Sequence, residues 1–150
     1  MLSVNNIEDE LIADFGFYAC ILLLEIVFIS FKTGQARLKN KSFATPEDAI
    51  RRGGLEFYRQ NEKVERLRRI HRNDLENIPA FLFVSALYIL TGPSQFWYKI
   101  LMRSYAVSRI LYTCSYMNEW RAPARSVIYC VGMYLILLPM LIGVLYASLW

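Results

Sequence analysis

Histidine occurs once in the 150 residues and cysteine three times. Protein zinc sites draw mainly on those two side chains, so their scarcity argues against a metal centre, and no metal ligand set is expected. The cysteines, Cys20, Cys114 and Cys130, are odd in number, and each falls within an apolar segment. That pattern does not suit a secreted disulfide framework; buried free thiols serving as small hydrophobes are expected instead. The opening stretch MLSVNNIEDELIADFG has four acids and no base, whereas a signal peptide begins with basic residues, so the first apolar segment is expected to remain in the mature chain. From Ser126 to Trp150 no charged residue occurs at all. No internal repeat or low-complexity segment is apparent.

A charge-free run of that length meets the requirement of about 20 residues for a membrane helix. The apolar fraction, 55%, is high for a globular chain, and the charges crowd into residues 32–76. An all-α integral membrane four-helix bundle is therefore expected, as one domain over 1–150 with spans at about 11–31, 72–90, 96–117 and 125–150. The second apolar run, Ile78 to Leu90, is too short to cross a bilayer, so its helix must extend backward into the charged stretch. TGPSQ at 91–95 and NEWRAPAR at 118–125 are the short connections, and Lys32 to Arg72 is the long first loop. Trp97, Tyr98 and Trp150 are expected to mark the membrane interface.

Twelve of the 17 Lys and Arg lie between Lys32 and Arg72, and Arg121 and Arg125 precede the fourth span. Basic loops face the cytoplasm, so both loops are assigned to that side and both termini to the other. This bias accounts for the basic excess without nucleic-acid binding.

On a helix, Arg69, Arg72, Asn73 and Glu76 follow i, i+3, i+4, i+7 and share a face. The third span offers Arg109, Tyr112, Thr113 and Tyr116 at the same spacing, and the fourth opens with Arg125, Ser126 and Tyr129. Gln35 and Arg37 lie just past the first span. An internal salt-bridge network would account for a single pair, but Arg37, Arg69, Arg72, Arg109 and Arg125 against Glu76 leave positive charge in surplus. A surplus in a partly dry place needs a counter-anion. Guanidiniums pair bidentately with carboxylates. Spacing thus implies a polyanionic ligand at the cytoplasmic helix ends, and no more.

Three stretches go further: TGQARLKNKSFATPEDA (33–49), VERLRRIHRNDLENI (64–78) and RAPARSVIY (121–129). Through them essentially the whole chain resembles the membrane-associated proteins in eicosanoid and glutathione metabolism, the MAPEG family. The resemblance implies a homotrimer binding glutathione between neighbouring subunits, in the endoplasmic reticulum membrane with the site toward the cytosol. It implies that Arg37 comes from the adjacent subunit, that Arg72, Asn73 and Glu76 grip the peptide, Glu76 by its amine, and that Tyr116 and Tyr129 line the pocket. Arg109 and Tyr112 belong to the same cofactor-binding set, and Arg69 and His71 support it from behind. Arg125 and Ser126 would stand at the sulfur, with Asp48 as the acid working beside Arg125.

Ser126 directly after Arg125 is similar to the prostaglandin E synthase branch, which implies isomerisation of prostaglandin H2. The glutathione transferase branch implies instead conjugation of lipophilic electrophiles or reduction of lipid hydroperoxides. A non-catalytic lipid-binding scaffold is the reading from a different class, and the intact Arg72, Asn73, Glu76 and Arg125 set argues against it. Three positions depart from the family pattern. Pro79 comes one residue early, Tyr112 stands where the synthase branch has histidine, and Glu25 stands where near relatives carry lysine. Glu25 is expected either to meet a basic residue of a neighbouring helix or to sit as a neutral, hydrogen-bonded acid.

Overall fold

The computed structural model describes residues 4–149, which contain helices and turns and, among the described residues, no strand. Trp150 lies outside that range. Helix α1 runs Val4–Asn40, α2 Pro46–Arg51, α3 Glu62–Ile89, α4 Gln95–Met117, α5 Ala124–Cys130 and α6 Leu138–Ala147. A π-helical stretch, Val131–Leu137, joins α5 to α6 without a break. Leu138 is followed by Pro139, which has no N–H to give the helix, and the widened turns immediately precede it.

The long first loop is shorter than its charge suggests. Residues 32–40 continue α1, and α3 starts at Glu62. Gln35 and Arg37 are therefore helical rather than loop residues, because hydropathy detects where apolar surface ends, not where the helix ends. The backward extension expected of the second span is present: α3 is 28 residues long. Asn61 caps it, its side chain accepting from the Lys63 N–H at 3.0 Å, and Glu62 and Glu65 occupy the positive first turn.

The 41–61 connection is a tied strap. Thr45 caps α2, the Phe43 N–H donates to the Phe57 carbonyl at 2.9 Å, and Arg59 donates to the Lys41 and Asn40 carbonyls at 3.3 Å. Gly53 and Gly54, at φ +128° and +153°, turn the chain where a side chain would be strained.

Helix α1 packs on α3 and α4, α4 on α5 and the π stretch, and α3 on α6. Leu11, Tyr18, Leu22, Ile78, Phe81, Tyr98, Met102, Tyr105, Ile136 and Met140 form the core. Phe81 and Tyr105 stack at 3.5 Å between ring centres, and the Tyr105 hydroxyl donates to the Asn77 carbonyl at 3.0 Å. Tyr98 is fully buried and bonded to the Ser85 hydroxyl at 2.8 Å, so it is a core residue and not the interface anchor expected; Trp97 is exposed.

Two helical segments, Glu8–Asn40 and Ala124–Ala147, are long and apolar enough to cross a membrane. Their apolar side chains, among them Leu24, Val27, Phe31, Leu135, Ile142 and Leu145, point outward. A soluble protein's core helix would bury such residues; outward-facing ones suit lipid or another subunit. The three thiols are exposed, contrary to expectation. An apolar segment of a membrane bundle has an outer face as apolar as its inner one, so composition alone cannot say which face a cysteine takes.

Candidate functional site

The stripe on α3 divides. Successive residues turn by about 100° around a helix, so Arg72 and Asn73 sit at opposite edges of the supposed single face. Arg72 lines a cleft of about 500 Å³ against α1, with Arg37, Arg68, His71, Ser30 and Thr33. Asn73 lines a second crevice of about 380 Å³ on the α4–α5 side, with Tyr112, Tyr116, Arg125, Ser126, Tyr129 and Cys130. Arg69 follows Asn73 to that side, where it meets Tyr116 and Arg125 together with Arg66 and Arg121. Glu76 is exposed on the surface of α3.

Aromatic faces build the Arg125 crevice. The Arg125 guanidinium lies over the Tyr116 ring, 4.5 Å from its centre. Tyr112 sits between its neighbours, 5.6 Å from Tyr116 and 6.1 Å from Tyr129. Cation–π contact holds a guanidinium in place while leaving its N–H groups free for an anion. Ser126 is exposed one residue on, and Val127, also exposed, adds an apolar surface beside it.

Arg109 is placed differently from the other arginines. It is buried, with its Nη2 donating to Asp74 Oδ1 and, at 2.7 Å, to Asn73 Oδ1. Its guanidinium also lies 4.8 Å from the centre of the Tyr112 ring. Asp74, which the sequence count omitted, therefore takes Arg109 out of the positive surplus. A buried cation at that depth demands a counter-charge, and a search of α3 for an acid reaching it could have found Asp74. The other cations of α4 are matched too: Lys99 lies 3.4 Å from Asp14, and Arg103 Nε donates to the Tyr18 hydroxyl at 3.1 Å.

Arg69 pairs with Glu62 at 2.5 Å on the exposed side, and that carboxylate raises its pKa above the ordinary arginine value. Arg66 spans 3.4 Å to Glu119, tying α3 to the connection before α5. Asp48 is exposed and lines a cleft with Gln35, Arg37 and Arg52. Within one chain, then, Asp48 accompanies Arg37 and not Arg125. Cys130, expected from the sequence as a buried thiol, lies in the wall of the Arg125 crevice.

The orientation of Asn73 follows from its partner. Its Oδ1 accepts from Arg109, so the Nδ2 amide is the atom left to face the crevice as a donor. An amide donor, a guanidinium and tyrosine and serine hydroxyls make a crevice that suits an anion with several polar groups. Among the described residues, no cluster of three or more metal-binding side chains is present.

A helical bundle with outward apolar faces and an arginine-tyrosine crevice at one end defines a class: membrane-associated proteins with a site for a small anionic ligand. The model of the MAPEG family matches residues 15–146, and the chain belongs to that family. It is 37% identical to prostaglandin E synthase of Equus caballus over 130 residues, covering 87% of this chain and 85% of that protein. With prostaglandin E synthase of Homo sapiens it shares 41% over 114 residues, 75% of this chain and 74% of the relative. With microsomal glutathione S-transferase 1 of Rattus norvegicus it shares 41% over 129 residues, 83% of each chain. Both names are those of enzymes.

Proposed function

We propose that this chain is a glutathione-dependent membrane isomerase that converts prostaglandin H2 to prostaglandin E2, working as a homotrimer whose four long helices span the endoplasmic reticulum membrane. The observation that carries the reading is the Arg125 crevice, with Ser126, Asn73, Tyr112, Tyr116 and Tyr129 on its walls. The crevice residues fit glutathione's two carboxylates, which call for arginine and amide donors; Glu76, exposed on α3 outside the crevice lining, is assigned to the amine. When bound, glutathione supplies a thiolate nucleophile for opening the endoperoxide, and it is recovered unchanged.

A free thiol has a pKa of about 8.5, so at neutral pH the site must favour the anion. Arg125 does so by charge, and Ser126 by donating a hydrogen bond to sulfur. Arg37 and Arg72 face a cleft separate from the Arg125 crevice within one chain. In the proposed trimer Arg37 of a neighbouring copy closes the crevice, and Asp48, on the same strap-side surface, travels with it. Asp48 then takes the C9 proton of the substrate as the ketone forms. Basic loop charge directs this end of the bundle to the cytosol. Val127 and Ile128 offer the apolar flank by which a lipophilic substrate reaches the site from the bilayer.

The second reading, a glutathione transferase or peroxidase acting on lipophilic electrophiles and lipid hydroperoxides, is favoured by the match to the transferase at 41% identity. Product analysis with glutathione separates the two. Prostaglandin E2 from prostaglandin H2, with little conjugate from a chlorinated nitrobenzene, is the expected outcome. Rapid conjugation without isomerisation would overturn the first reading.

A further inference from the structure

Arg66, Arg69, Arg121 and Arg125 line a cleft of about 420 Å³ where the connection between α4 and α5 meets α3. Helix α3 supplies the first two, the connection supplies Arg121, and α5 supplies Arg125. The connection is folded back on the end of α4. The N–H groups of Asn118, Glu119 and Trp120 donate to the Cys114, Tyr116 and Ser115 carbonyls at 3.0, 3.4 and 2.9 Å. Glu119 holds φ +58°, a left-handed conformation uncommon for a residue with a side chain, and its carboxylate lies 3.4 Å from Arg66.

Charge does not balance in this cleft. Glu119 is the one acid among its lining residues and answers Arg66, while Glu62 answers Arg69 from outside the wall. Among the described residues, Arg121 and Arg125 have no acid within ion-pair distance. Arg125 rests on Tyr116 and borders the crevice as well, so its charge is shared between the two spaces. The two unmatched charges suit a phosphate group, which as a monoester carries about −1.5 to −2 at neutral pH. Its oxygens accept the paired N–H groups of a guanidinium. The surroundings suit a headgroup too. Trp120, half-exposed in the cleft wall, and Arg121 come just before the apolar segment Ala124–Ala147, which is long enough to cross a membrane. Tryptophan and basic residues at the start of a span lie at the depth of lipid phosphates.

We infer that this cleft is a phosphate-binding site beside the crevice, with Arg66 and Arg121 as its own ligands and Arg125 common to both. The headgroup of an anionic phospholipid and free phosphate present the same chemistry to these guanidiniums. Glu119 competes with the ligand for Arg66. The inference goes beyond the proposed reaction and stands whether or not the crevice holds glutathione.

Calorimetric titration of the detergent-purified full-length protein, in phosphate-free buffer of low ionic strength, tests it with two probes: inorganic phosphate and a water-soluble short-chain phosphatidic acid. Saturable binding of at least one is expected. Tighter binding of the phosphatidic acid assigns the site to a lipid headgroup; equal or tighter binding of inorganic phosphate assigns it to the free ion. Arg66→Ala and Arg121→Ala should each weaken binding about tenfold, the effect of losing one charge-assisted hydrogen bond. Glu119→Gln, which removes the competing carboxylate, should tighten it about threefold. Arg51→Ala, at an exposed cation of the strap, should leave it unaltered. The inference is overturned if neither probe binds, or if short-chain phosphatidylcholine binds as tightly as the phosphatidic acid. It is overturned equally if Arg51→Ala costs as much as Arg121→Ala, or if Glu119→Gln weakens binding. Undiminished binding in both Arg66→Ala and Arg121→Ala would put the phosphate in the Arg125 crevice instead and also overturn it.

Discussion

Arg125 and Ser126 are adjacent in sequence, and in the proposed site they make different contributions to one sulfur atom. The guanidinium, seated on Tyr116, brings charge to the crevice, and on the proposed reading the Ser126 hydroxyl beside it would donate one directed hydrogen bond. Ser126→Ala is expected to lower isomerisation by about tenfold or more, because a hydrogen bond to a developing anion is lost where it matters most. Glutathione affinity should stay within about threefold, since the peptide's carboxylates are held elsewhere. Steady-state turnover with prostaglandin H2 and calorimetric titration check the two halves; unaltered turnover removes Ser126 from the chemistry. The sequence revealed these two residues, and the tyrosines at helical spacing from them, because periodicity reports a face. Asp74, which answers Arg109, lies just outside the stripe chosen, so only a search of α3 for a counter-charge would find it.

The elements carry different kinds of evidence in their composition. The charge-free run after Ser126 and the charged lead-in to the second span both predict helices, and both are helical. The π stretch was not legible, since no local pattern distinguishes widened turns from ordinary ones. There Gly132 lets α4 approach closely; a Cβ at that position would stand 2.9 Å from Ser108 Oγ. The ion pairs of α3 also rank by surroundings. Asp74→Ala leaves Arg109 buried and uncompensated, a loss of about 3–5 kcal/mol. Arg68→Ala breaks only the exposed pair with Glu65, a change of about 1 kcal/mol or less. Thermal unfolding of the detergent-purified variants should show a large fall in midpoint for the first and almost none for the second.

At the scale of the whole molecule, the two arginine clefts on opposite sides of α3 define the geometry of assembly that the proposed trimer requires. If Arg37 of one copy completes the Arg125 crevice of the next, the inactive variants Arg37→Ala and Arg125→Ala should complement one another when co-expressed. Mixed trimers would contain some intact crevices and regain part of the turnover, whereas a site complete within one chain would regain none. The most direct measurement of the central claim is an ultraviolet titration of the purified protein with glutathione at neutral pH, following thiolate absorption. The account predicts a thiolate signal that saturates with wild-type protein and is lost in Arg125→Ala. A wild-type protein that binds glutathione only as the thiol, or an Arg125→Ala variant that keeps the full thiolate signal, would contradict it.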